Sequence, residues 1–161
     1  MNRIRWSPAM AIDQGLIDDD HRHLIDIINR FGRYLEQGRS GVNDALDVLT
    51  ALEFYAGTHF EREERLQRLV RYPESPAHGA EHARLRRELT AMIVRASSAP
   101  EEADAELMTG VGKLLRAWLL GHVIQHDLRM KPYVPRMRRH AARLPELRGL
   151  SPVGTIAAPR P

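Results

Sequence analysis

The sequence predicts an all-α fold: an up-down-up-down antiparallel four-helix bundle with an irregular N-terminal arm and a basic C-terminal extension. Three observations carry this. Apolar residues recur at three- and four-residue spacing along four long stretches. Gly38, Gly41, Pro73 and Pro100 fall between those stretches. Aromatic residues are only 6% of the chain and β-branched runs are scarce, which argues against a sheet.

Residues 1–16, with Trp6 and Pro8, read as the irregular arm. The first helix is expected from about Asp18 to Glu36 and ends at the Gly38–Gly41 break. The second runs from about Asn43 to Val70, stopped by Tyr72-Pro73. The third starts near Ser75, with Pro76 suited to a first helical turn, and fades at Ser97-Ser98. Pro100, Glu101 and Glu102 open a fourth, expected to continue to about Met130, before Pro132. Residues 136–148 suit a short basic helix, and residues 149–161, with Gly, Ser and Pro, are expected to lack fixed structure. The domain division is therefore a bundle over 1–135 and a basic tail over 136–161.

Composition excludes several function classes. The 161 residues contain no cysteine, so there is no disulfide framework, no Cys-ligated zinc or iron–sulfur site and no thiol nucleophile. No apolar run approaches the ~20 residues of a membrane span, and Met1–Ile12 lacks the apolar core of a signal peptide. A soluble, cytoplasmic protein is expected. Charge is uneven: residues 1–128 hold 16 Lys/Arg and 20 Asp/Glu, whereas residues 129–161 hold 8 Lys/Arg and only Glu146. That tail, with Arg136, Arg138, Arg139 and Arg143, has no aromatic interleaving and no nucleic-acid motif. It reads as a solubilising extension, with neither nucleic acid nor membrane expected as partner; a separate protein partner would dock there. The Arg62, Arg65, Arg68 and Arg71 stripe reads as a solvated face.

The predicted inward faces are Ile17, His21, Leu24, Ile28, Phe31 and Leu35 on the first helix. On the second they are Leu46, Leu49, Leu52, Ala56, His59, Glu63, Leu66 and Val70. The third presents His78, His82, Leu85, Leu89 and Met92, and the fourth Val111, Leu115, Trp118 and His122. Every seam is apolar except for histidines and one glutamate. Burying an unpaired imidazole or carboxylate is costly unless it is hydrogen-bonded or holds a metal. One such histidine suits an ordinary core position, but five across four helices point to a shared site. Imidazole and carboxylate without sulfur suit iron, zinc, copper or nickel. His59 and Glu63, and His78 and His82, are i, i+4 pairs on one helix face. No Glu-x-x-His occurs, which speaks against the ferritin-like di-iron enzymes. His23 lies off the seam, beside Arg22. After His122, periodicity by itself favours His126, at i+4; Asp127, at i+5, lies about 140° round an ideal helix. Trp118 reads first as core packing, and Phe60 either walls the site or fills the bundle.

The ordered set His21, His59-Phe60-x-x-Glu63-Glu64, His78-x3-His82 and Trp118-Leu119-x-x-His122-x4-Asp127 resembles bacterial haemerythrin. Trp6 and Gly15-x-Ile17-Asp18 fit the same pattern, and the resemblance covers about residues 5–130. It departs from the pattern at Asp20, where Gln or Glu is usual, and at Met130, where an aromatic is common. The resemblance implies that His78, His82 and His122 hold one iron, that His21 and His59 hold a second, and that Glu63 and Asp127 bridge them. Two octahedral irons need about twelve donor positions. Five histidines, two bridging carboxylates and an oxo or hydroxo bridge leave one position open, on the two-histidine iron. The implied function is reversible O2 binding, as a carrier, store or sensor, with no catalytic residues. The alternatives are a di-iron oxidase, peroxidase or nitric oxide scavenger on the same scaffold, and a mononuclear zinc or other metal-binding bundle.

Overall fold

The computed structural model describes residues 3–39, 41–100 and 105–141. Helix α1 spans Leu16–Glu36, α2 Val42–Val70, α3 Ser75–Ser97 and α4 Ala105–Arg116. The last passes directly into a π-helical segment, Ala117–Val123. A turn then leads to a 3-10 stretch, Asp127–Tyr133, and to a short helix α5, Val134–Ala141. The four long elements form the predicted bundle, with no strand among the described residues.

The arm is tied down more firmly than its irregular sequence suggests. Asp18 lies in the first turn of α1, not before it, and its carboxylate accepts the N–H groups of Ile12 at 2.6 Å and Gln14 at 3.0 Å. Asp13 in turn accepts those of Gly15 at 2.9 Å and Asp18 at 3.1 Å. These reciprocal contacts satisfy donors that a helix start leaves without partners. Asn29 exchanges two 2.8 Å hydrogen bonds with the backbone of Ile4. Gly38, at φ +68°, turns the chain out of α1. At the start of α2 the Asp44 carboxylate reaches back to accept the Gly41 N–H at 3.4 Å, and the Asp44 N–H bonds the Gly41 carbonyl at 3.1 Å. Arg71, in the left-handed region at φ 54°, ends α2, and the Tyr72 N–H bonds the Gln67 carbonyl at 2.9 Å.

The fourth helix departs from the expectation of an unbroken α-helix to Met130. α-Helical geometry ends at Arg116. Pro132 lies inside the 3-10 stretch, where it cannot donate to a carbonyl one turn back. Residues 101–104, expected to open that helix, lie outside the described residues, as do 142–148 of the predicted basic helix and the tail 149–161.

Two apolar clusters fill the bundle. The larger includes Leu24, Phe31, Leu52, Leu85, Val111 and Trp118. The smaller gathers Ile12, Ile17, Leu66, Val70, Met130 and Met137. Packing therefore continues past residue 135: Met137 on α5 is buried against this second cluster. The predicted seams are buried apart from Leu35, exposed in the last turn of α1, and Leu46 and Met92, which are half-buried. Along α1 and α2 the polar seam residues fall in sequence between members of the two clusters, as with Ile17, His21 and Leu24 on α1 and Ala56, His59, Glu63 and Leu66 on α2.

Candidate metal centre

Five imidazoles and two carboxylates, all at most 2% exposed, meet between those clusters. α1 contributes His21, α2 contributes His59 and Glu63, and α3 contributes His78 and His82. The π segment contributes His122, and the first residue of the 3-10 stretch is Asp127. The histidines all meet the group through Nε2. Glu63 Oε2 lies 3.1 Å from His78 Nε2, 3.4 Å from His82 Nε2 and 3.8 Å from His59 Nε2. Asp127 spans the site: Oδ1 is 3.2 Å from Nε2 of both His78 and His122, and Oδ2 is 3.1 Å from His21 Nε2. Two overlapping sets result, Glu63 with His78, His82 and His122, and His21 and His59 with Glu63 and Asp127. Within each set the donor atoms lie within 4.8 Å of one another.

Electrostatics favour a cation. Burial pushes both carboxylates up, and Asp127 adds to this at Glu63, but the surrounding imidazoles outweigh it and hold both below the usual carboxylate range. His78 is the converse case. Burial pulls it down, but contacts with Asp127 and Glu63 raise it to about 10. His122 is driven down to about 3 by burial, with His82 and His59 adding to the effect. A cation must displace any proton on these nitrogens, so binding strengthens as pH rises.

Around this ring, side chains fix the ligands. His59 Nδ1 lies 3.3 Å from Asp20 Oδ2, and Asp20 also pairs with the guanidinium of Arg62. Asp20, shorter than the usual residue at its position, therefore still meets an imidazole. Arg62 corrects the expectation of a solvated arginine stripe. It is fully buried, whereas Arg68 and Arg71 are exposed and Arg65 is intermediate. The face it occupies points at Asp20 because Arg62 follows His59 by three residues. Glu64 Oε1 lies 2.9 Å from His82 Nδ1. Phe60 walls the site, stacked on His82 at 3.8 Å between centroids and on Trp118 at 5.1 Å. Met130 is buried, and Gln67 donates to its sulfur at 3.2 Å.

All seven predicted residues come together, and His23 and His126 do not join them. His23 is half-buried, with its ring 6.5 Å from that of Tyr55. His126 stays at the rim, its ring 6.1 Å from those of His78 and His122. Sequence reasoning missed the supporting role of Arg62 and the position of Tyr55, which stacks on His59 at 4.8 Å. Spacing carried the signal for Tyr55, which precedes His59 by one turn.

The donor set fits a pair of cations. His59 Nε2 and Glu63 Oε1 are buried without a hydrogen-bond partner, a costly arrangement in a metal-free core. His82 Nε2 and His122 Nε2 lie 3.1 Å apart, two ring nitrogens converging on one point. Ligands each about 2.1 Å from a shared ion give separations of this order. Residues 14–134 match the family model of the hemerythrin HHE cation binding domain, and the chain belongs to that family. It is also similar to a bacteriohemerythrin of Stenotrophomonas maltophilia (strain R551-3), with 26% identity over 136 residues covering 84% of this chain and 82% of the relative. No helix among the described residues is long and apolar enough to cross a membrane.

Proposed function

We propose that the chain binds O2 reversibly at a non-haem di-iron centre. His78, His82 and His122 hold one iron, His21 and His59 the other, and Glu63 and Asp127 bridge them, with an oxo or hydroxo group completing the bridge. The observation that carries this is the span of Asp127, one oxygen facing His21 and the other facing His78 and His122. When bound, two irons supply the pair of electrons that O2 takes up on binding and returns on release. The residues here do the rest. With three imidazoles on one side of the shared carboxylates and two on the other, the open position would fall on the two-histidine side. Leu24, Ala56 and Phe60, all buried and one turn from or next to His21 and His59, keep bulk water and large substrates away. Asp20 and Arg62 hold His59 in orientation.

This function needs no catalytic acid or base, and we propose a cytoplasmic carrier, store or sensor. Iron-replete expression is expected to yield about two irons per chain. The reduced protein is expected to change its visible spectrum on O2 uptake and to recover it on deoxygenation over repeated cycles. Steady O2 consumption with a supplied reductant would instead establish a di-iron oxidase. One metal per chain, or zinc from iron-replete cells, would establish a mononuclear site.

A further inference from the structure

Tyr55 is buried at 2% exposure, and its hydroxyl has no hydrogen-bond partner among the described residues. Buried phenols ordinarily find one. Its ring lies one turn before His59 on α2 and stacks on that imidazole with an interplanar angle of 19°. Two nearly parallel rings from successive turns of one helix extend in the same direction, and the phenol is the longer. The carboxylates whose charge bears on it are Asp127 and Glu63, the two that His59 also faces. The apolar neighbours Leu24, Ala56 and Phe60 offer no side-chain donor; the Trp118 indole N–H is also buried without a partner, but its ring lies 5.9 Å beyond that of Tyr55, whereas the Tyr55 ring stacks directly on His59.

We propose that Tyr55 is a ligand-binding residue, its O–H donating a hydrogen bond to a small ligand, O2 or an anion such as azide, held on the His21 and His59 side of the centre. This rests on the di-iron function proposed above. Tyr72 supplies an internal control. Its hydroxyl is also buried without a partner, but its ring packs edge-on to His78, 6.4 Å away, on the three-histidine side.

The test titrates azide into the oxidised, iron-loaded protein and compares Tyr55→Phe and Tyr72→Phe with the parent chain. Tyr55→Phe is expected to keep its iron and to lose affinity for azide about tenfold, the scale of one hydrogen bond to a charged acceptor. The shift of the bound azide stretch between H2O and D2O is expected in the parent and in Tyr72→Phe, and to vanish in Tyr55→Phe. In the metal-free protein, removing an unsatisfied buried hydroxyl is expected to leave Tm unchanged or raise it by a few degrees. A parent protein without two irons overturns the di-iron function and this inference with it. With two irons present, unchanged azide affinity and an unchanged D2O shift in Tyr55→Phe overturn this inference alone. So does transfer of the effect to Tyr72→Phe. A lowered metal-free Tm for Tyr55→Phe also overturns it, by revealing a structural partner for the hydroxyl.

Discussion

α2 and α3 build their part of the centre differently from the fourth long element. In α2 and α3 the site residues come as i, i+4 pairs, His59 with Glu63 and His78 with His82, on regular α-helix. In the fourth element the pair is His122 and Asp127, five residues apart, and the chain there is π-helical, then a turn, then 3-10. An ideal α-helix would carry Asp127 off the site and offer His126 instead. The observed unwinding buries Asp127 completely and leaves His126 at the rim. Regular helices thus place a pair of ligands by local geometry alone. The irregular element places its pair only because the rest of the bundle holds it there, and π segments are often found at functional sites for this reason.

The largest expected effects come from removing one ligand of each kind. His82→Ala should lower iron content and thermal stability together, because metal binding stabilises the folded state by about 4 kcal/mol at a thousandfold excess over Kd. His23→Ala should do neither. Asp127→Ala should lose iron as His82→Ala does, whereas His126→Ala should keep it. Iron analysis and melting curves on the four variants decide the matter. Equal iron loss in Asp127→Ala and His126→Ala would remove the distinction between the regular and irregular elements.

Next is the contact that crosses from α1 to α2. Asp20→Ala removes one partner of a buried ion pair with Arg62 and the contact to His59 Nδ1. The expected cost is about 3–5 kcal/mol by denaturant titration. Full stability in that variant would mean that Arg62 is held by its other neighbours.

A slightly smaller loss is expected at the far end of the irregular element. Met137 packs with Ile17, Leu66 and Met130, so α5 braces the stretch that carries Asp127. Met137→Ala should cost about 2–5 kcal/mol. A loss near zero would show that the 3-10 stretch holds its shape without α5. The smallest effect should follow truncation after Arg148. Those residues supply no seam position, so iron content, spectrum and Tm should be unchanged. Loss of iron on truncation would show that the tail covers the site.

Most of the centre is legible in the sequence. Six of its seven residues sit on apolar seams of regular spacing, and a polar residue on such a seam is conspicuous because burial without a partner is costly. Asp127 was reachable only through family resemblance, since the periodicity of an α-helix does not hold where the helix unwinds. Arg62 shows the opposite failure. Its spacing with Arg65, Arg68 and Arg71 suggests a solvated stripe, yet Asp20, on a different helix, gives its guanidinium a buried partner. No pattern within α2 encodes that contact.

By itself, then, the sequence determined the number of long helices, the ends of the first two at Gly38 and Tyr72-Pro73, and the level at which histidines interrupt the apolar seams. These are local matters of periodicity, capping and backbone freedom, decided within a few residues of chain. The tertiary structure decided the unwinding after Arg116, the choice of Asp127 over His126, the burial of Arg62 against Asp20 and the seat of Tyr55 beside His59. Each of these depends on a buried polar atom being met, or left unmet, by a group far away in the chain. The energy of such a contact exists only once the helices have packed and water has been excluded.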